Sequence, residues 1–176
     1  AIDLLSQIEK GKLADDHPLA TEIFHKINYR RVLYVAVFLH DIAKGRGGNH
    51  SELGADIADK LGPRFGLTDE ETETVVWLVR HHLGMSMVAQ KRDIDDPQTI
   101  RDFADLVQSP ERLRLLLVLT IVDMRATGPN VWNGWKAALL RDLYYRTEEV
   151  LGGTPGGGQL DRRVAAARMA VSDQLA

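Results

Sequence analysis

Apolar residues recur at three- and four-residue spacing along almost the whole chain, and this period admits helices and little else. Ile2, Leu5 and Ile8 set it in the first ten residues. Pro18 reads as a first-turn proline opening a short helix to about residue 27. Residues 31–44 are apolar on nearly every side, which predicts a buried central helix stopped by the glycines at 45, 47 and 48. Leu53, Ile57 and Leu61 mark a helix over 51–61. Thr68 with Glu71 is a capping-box pair ahead of Val75, Val76, Leu78 and Val79. Asp96-Pro97 and Ser109-Pro110 open helices over about 97–108 and 110–127. Asn130 is placed to cap a long helix over 131–151, with the stripe Trp132, Trp135, Leu139 and Leu143.

No run alternates apolar and polar residues over a strand's length between hairpin signals. The expectation is an all-α bundle of seven or eight helices. Residues 1–151 read as one domain. Residues 152–176 read as a Gly-rich linker and a helical stub, in which Leu160, Val164, Ala167, Val171 and Leu175 form a thin stripe. The stub is either the first helix of a further domain or a helix packing back on the core. The first residue is Ala1, not an initiator Met, so the chain is expected to start inside a longer one.

Composition narrows the chemistry. Of 176 residues 44% are apolar, enough for a buried core. The formal net charge of −3 is too mild to mark a nucleic-acid or membrane-surface binder. Apolar runs such as 32–39 and 115–119 fall far short of the roughly 20 residues that span a bilayer. No secretion signal is visible, which favours the cytoplasm. There is no cysteine, which excludes disulfides, thiolate metal sites and cysteine nucleophiles. The six histidines remain as the only soft nitrogen ligands.

Four of them fall into a suggestive order. His40-Asp41 stands near the end of the predicted central helix, His50 follows just past the Gly loop, and His81-His82 ends the next long helix. Asp123 directly follows the strongly apolar run 115–122, on the same predicted helix. An ionised carboxylate in such a run is costly to bury unless paired or bound to metal. Imidazole with carboxylate suits Zn²⁺, Mn²⁺ or Fe²⁺. Adjacent helical residues point about 100° apart, so His40 and Asp41 cannot chelate as an i, i+4 pair. A site using both places a metal at the helix end or lets Asp41 bridge two. Each residue also has an ordinary reading: His50 as a helix-start residue, His81-His82 as partners of a helix C-terminus, Asp123 as a mate of Arg114 or Arg125. His17 and His25 read as surface or boundary residues.

The strings LHDIAKGRGGNHSELGA (39–55), VRHHLGMSMVAQKRDIDDPQTIRDFA (79–104) and LTIVDMRATGPNVWNGWKAALLRDLY (119–144) resemble the HD superfamily of metal-dependent phosphohydrolases. Within it they are most similar to the HD domain of the bacterial bifunctional uridylyltransferases/uridylyl-removing enzymes. The resemblance covers roughly residues 1–151. It implies His40, Asp41 and Asp123 as metal residues, and His50 and His82 as ligands of a second metal. His81 is carried beside His82, although the family string holds the second His of the pair. One or two divalent ions are implied, Mn²⁺ first, with Mg²⁺, Fe²⁺ or Zn²⁺ as alternatives. The implied reaction hydrolyses the phosphodiester between UMP and a tyrosine of the PII nitrogen-regulatory protein, releasing UMP. Asp41 and Lys44 are then the catalytic pair, with Lys44 neutralising a phosphoryl oxygen and Arg46 a further candidate. The family also implies a nucleotidyltransferase domain upstream, ACT domains downstream, and one more histidine just before Ala1.

Two other readings stay open on the residues alone. One is an HD phosphohydrolase of free nucleotides or cyclic dinucleotides. The other is a non-catalytic helical module, regulatory or purely structural.

Overall fold

The computed structural model describes residues 1–128 and 130–152. The helical stub and nearly all of the Gly-rich linker expected after residue 151 lie outside the described residues. The fold is all-α, with no strand among the described residues. Its helices are α1 (Ile2–Glu9), α2 (Pro18–Phe24), α3 (Arg30–Leu39), α4 (His50–Leu61), α5 (Asp69–His81), α6 (Gly84–Lys91), α7 (Pro97–Val107), α8 (Pro110–Thr127) and α9 (Gly134–Leu151).

The central helix is α8, not the segment over 31–44. Leu113 and every residue from 115 to 122 are buried, and α8 packs against α1, α2, α3, α5, α6, α7 and α9. An apolar surface on all sides requires this enclosure. By contrast α3 leaves Phe38 62% exposed. It also stops at Leu39, five residues before the expected end. Three-residue bonds follow at once: Ile42 N–H to Leu39 O, Lys44 N–H to Asp41 O and Arg46 N–H to Ala43 O. Gly45, Gly47 and Gly48 then take φ of 76–82°, a region that side chains with a Cβ rarely enter.

Sequence signals at helix starts are met where a side chain can reach a free amide. The Thr68–Glu71 capping box forms both of its bonds, and Asp96 and Ser109 cap α7 and α8. Asn130 does not cap α9. Asn133 does, accepting from Lys136 N–H at 2.9 Å, because Gly128–Val131 closes a turn first. The late start turns Trp135 outward, 62% exposed, and the buried stripe becomes Leu140, Leu143, Tyr144 and Thr147. Helix α6 was not signalled. It has no side-chain cap and buries only Met85 and Ala89.

Helices α4 and α5 meet at glycine contacts. A Cβ on Gly54 would stand 3.1 Å from Val79 Cγ1, and one on Gly62 would stand 2.4 Å from Thr72 Cγ2. That close approach sets the distance between His50, the first residue of α4, and His82, the C-cap of α5.

Candidate metal centre

Three chain reversals bring the centre together. His40 caps the C-terminus of α3, Asp41 opens the turn that follows, His50 starts α4 and His82 caps α5. Asp123 comes from the last turns of α8. His40 and His82 are anchored in the same way. Each Nδ1 lies 2.7 Å from the carbonyl oxygen three residues earlier, Val37 and Val79 respectively. A carbonyl only accepts, so each Nδ1 carries a proton and each neutral ring presents its Nε2 lone pair. The bonds also use carbonyls that a helix end leaves unpaired.

The free ring nitrogens converge on carboxylates. His40 Nε2 is 3.3 Å from Asp123 Oδ1 and 3.7 Å from Asp41 Oδ2. His50 Nε2 and His82 Nε2 are 3.7 and 3.8 Å from Asp41 Oδ1. The His82 ring lies 5.4 Å from that of His40 and 5.3 Å from that of His50. Two ligand groups result, Asp41 with His50 and His82, and Asp41 with His40 and Asp123. Within each, the ligand atoms lie within 4.8 Å of one another. Asp41 belongs to both.

Electrostatics agree with this geometry. Burial pulls the His40 pKa down, but the hydrogen bond and charge of Asp123, the Val37 carbonyl and Asp41 raise it overall. Burial likewise pushes Asp123 up, and the bond to His40 with its charge brings it below its ordinary value. His82 is lowered, chiefly by burial. Its Nε2 is buried and has no hydrogen-bond partner among the described residues. A buried lone pair facing the Asp41 carboxylate at 3.8 Å, with its tautomer fixed from behind, fits a divalent cation.

The structure does not bring His81 to this cluster. The residue next to His82 on a helix points about 100° away. His81 instead lies beside Trp77, ring centroids 5.2 Å apart. Lys44 is at the site, its Nζ 2.6 Å from Asp41 Oδ2. Asp123 pairs with His40; Arg114 goes to Glu111. His17, expected at the surface or a boundary, is 4% exposed and packs edge-on against Trp132.

A cleft of about 290 Å³ opens beside the cluster. Asp41, Lys44, His50 and Asp123 line it, and so do Ser86, Gln90 and Lys136. The latter three had no sequence signal, because α6 carries no cap and Lys136 reads as an ordinary helix cation.

Comparison with known proteins agrees with the geometry. Residues 15–109, more than half the chain, match the HD domain family. The chain belongs to the HD domain family. It is 61% identical over 175 residues to the bifunctional uridylyltransferase/uridylyl-removing enzyme of Azospirillum brasilense, covering 99% of this chain and 19% of that protein. The enzyme of the same name from Rhodospirillum rubrum is 57% identical over 176 residues, with 100% and 19% covered. That from Novosphingobium aromaticivorans is 64% identical over 151 residues, with 86% and 17% covered. The chain thus spans about a fifth of the length of these relatives. Among the described residues no helix is long and apolar enough to cross a membrane.

Proposed function

We propose that this domain is a metal-dependent phosphodiesterase that removes UMP from a uridylylated tyrosine of the PII regulatory protein. The observation that carries the reading is the pair of His/Asp groups sharing Asp41 on the wall of an open cleft. The names of the relatives, which pair uridylyl transfer with uridylyl removal, supply the substrate class. The resemblance of residues 39–55, 79–104 and 119–144 supplies PII as the protein that bears the uridylyl group. In the whole enzyme, nucleotidyltransferase and ACT domains flank this one.

Asp41, His50 and His82 would hold one divalent ion, and His40, Asp41 and Asp123 a second or the same one. Mn²⁺ is the proposed ion, with Mg²⁺, Fe²⁺ or Zn²⁺ as alternatives. A bound divalent ion supplies Lewis acidity and makes water nucleophilic near neutral pH. The protein's own groups do the rest. The carbonyls of Val37 and Val79 fix the rings of His40 and His82, so no reorganisation is needed when substrate arrives. Lys44 lies where it can leave Asp41 for a phosphoryl oxygen. Water attacks phosphorus, the P–O bond to tyrosine breaks, and UMP and a tyrosine side chain result. The phenol has a pKa of about 10, so its oxygen departs with little help from a general acid.

The test is UMP release from uridylylated PII with Mn²⁺, for wild type and Asp41→Ala, in this chain and in one extended upstream. Activity that survives the substitution would refute the assignment. Turnover of free nucleotides with no preference for uridylylated PII would redirect it to a small-molecule phosphohydrolase.

A further inference from the structure

The cleft holds two lysines in different electrostatic states. The Lys44 ammonium is 2.6 Å from Asp41 Oδ2, so its charge is met by a carboxylate. Lys136, in the first turn of α9, is half-buried. Its Nζ donates to the Val131 carbonyl at 2.8 Å, and no carboxylate lies within ion-pair distance of it among the described residues. Its backbone is held as well, by the bond from Lys136 N–H to Asn133 Oδ1. An ammonium has three donors, and one neutral carbonyl uses one of them. Water can complete its donors in the open cleft, and an anion that displaces such water gains a charge-assisted bond. Lys136 lines the same cleft as Asp41, His50 and Asp123 but comes from a different helix.

We propose that Lys136 is a substrate-binding residue that holds a non-bridging oxygen of the phosphoryl group in the cleft it shares with the His/Asp cluster. The inference rests on the phosphodiesterase reading and deepens it. The chemistry it selects is a phosphate ester anion. The lone-pair-rich oxygens of such an anion fill the two free donors, while the Val131 carbonyl keeps the side chain extended into the cleft. Lys44, beside Asp41, and Lys136, on α9, then meet the phosphoryl group from two separate elements.

The experiment compares Lys136→Gln, Lys136→Met and Lys136→Arg with wild type. UMP binding is measured by equilibrium dialysis with Mn²⁺, bound Mn²⁺ by elemental analysis, and kcat and KM on uridylylated PII. Loss of a charge-assisted hydrogen bond predicts roughly a tenfold weaker UMP affinity and a similar rise in KM for both Gln and Met. Bound Mn²⁺ stays unchanged, and Arg recovers most of the affinity. Gln can still donate to the Val131 carbonyl without carrying charge. Normal UMP binding by Lys136→Gln, with loss in Lys136→Met alone, would show that the lysine only anchors the turn and would overturn the proposal. Wild-type protein that binds Mn²⁺ yet neither binds UMP nor cleaves uridylylated PII would overturn the phosphodiesterase reading itself. Wild-type turnover with three unaltered variants would overturn the Lys136 proposal alone.

Discussion

His40 Nε2 faces Asp123 Oδ1 at 3.3 Å across 83 positions of sequence. Because His40 Nδ1 already donates to Val37, this approach is attractive only when Nε2 holds a proton or a cation. Without metal this pairing favours a proton in that place, which is why His40 is raised and Asp123 lowered. A divalent ion would replace it. Asp123→Ala should therefore cut both bound Mn²⁺ and UMP release. Loss of partners that merely orient a ligand costs about 10–100-fold in affinity or activity, and a direct donor should cost at least that much. Full metal content in the variant, measured after dialysis against Mn²⁺, would remove Asp123 from the ligand set.

Metal should also stabilise the fold. The two ligand groups draw on four separate stretches of chain: the end of α3 with its following turn, the start of α4, the end of α5 and α8. The unfolded chain has no such site, so binding favours the folded state. At free Mn²⁺ a hundredfold above Kd the gain is about 2.7 kcal/mol. For a chain of this size each kcal/mol raises Tm by about 2–4 °C, so thermal unfolding should shift upward by about 5–10 °C. Asp41→Ala removes the residue common to both groups and should abolish the shift. An equal shift in that variant would place the ion elsewhere.

Helix class and most helix starts were legible in sequence because caps and first-turn prolines act locally. Thr68, Asp96 and Ser109 satisfy amides within three residues, so their own neighbourhood decides the outcome. Which apolar helix is central was not legible. Residues 31–44 and 115–122 are both apolar all round, and only the packing of seven other helices singles out α8. His40, Asp41, His50, His82 and Asp123 could be nominated from their order, but their convergence depends on the glycine contacts between α4 and α5 and on the turn after Leu39. His81 and His82 cannot be told apart by composition; the carbonyl of Val79 separates them in the fold. Lys136 becomes informative only once its lack of a carboxylate is seen.

The glycine contacts make a prediction of their own. A Cβ at Gly62 would meet Thr72 Cγ2 at 2.4 Å and Thr72 Cβ at 2.9 Å, and Thr72 is buried. A β-branched side chain in a helix has few rotamers in which to withdraw. Gly62→Ala should lower stability by about 1–3 kcal/mol, as overpacking does, despite the better helix propensity of alanine. The urea midpoint reads this directly. A midpoint equal to wild type would mean that α4 and α5 separate without penalty, and the spacing of His50 and His82 would then not depend on this contact.

His17 gives the chain an acid-sensitive element away from the metal centre. It is 4% exposed, both ring nitrogens lack hydrogen-bond partners among the described residues, and Trp132 packs on its face or edge with centroids 5.1 Å apart. Burial, and then the charge of Arg125, lower its pKa below 6.5, against a smaller opposing effect of Asp16. The unfolded chain therefore binds a proton that the folded chain refuses. The stability tied to His17 is complete above about pH 6.5 and is lost as pH falls from there through the folded pKa. His17→Phe keeps a flat ring against Trp132 and removes the titration. Although His17 precedes α2, its side chain makes no capping bond that the variant would lose. Urea midpoints for the two proteins should lie close together at pH 7.5. They should separate in favour of the variant by pH 5.5. All other titrating groups are common to the two proteins and cancel in the difference. A gap between the two midpoints that stays constant over that range would mean that folding leaves the proton affinity of His17 unchanged, contrary to its burial.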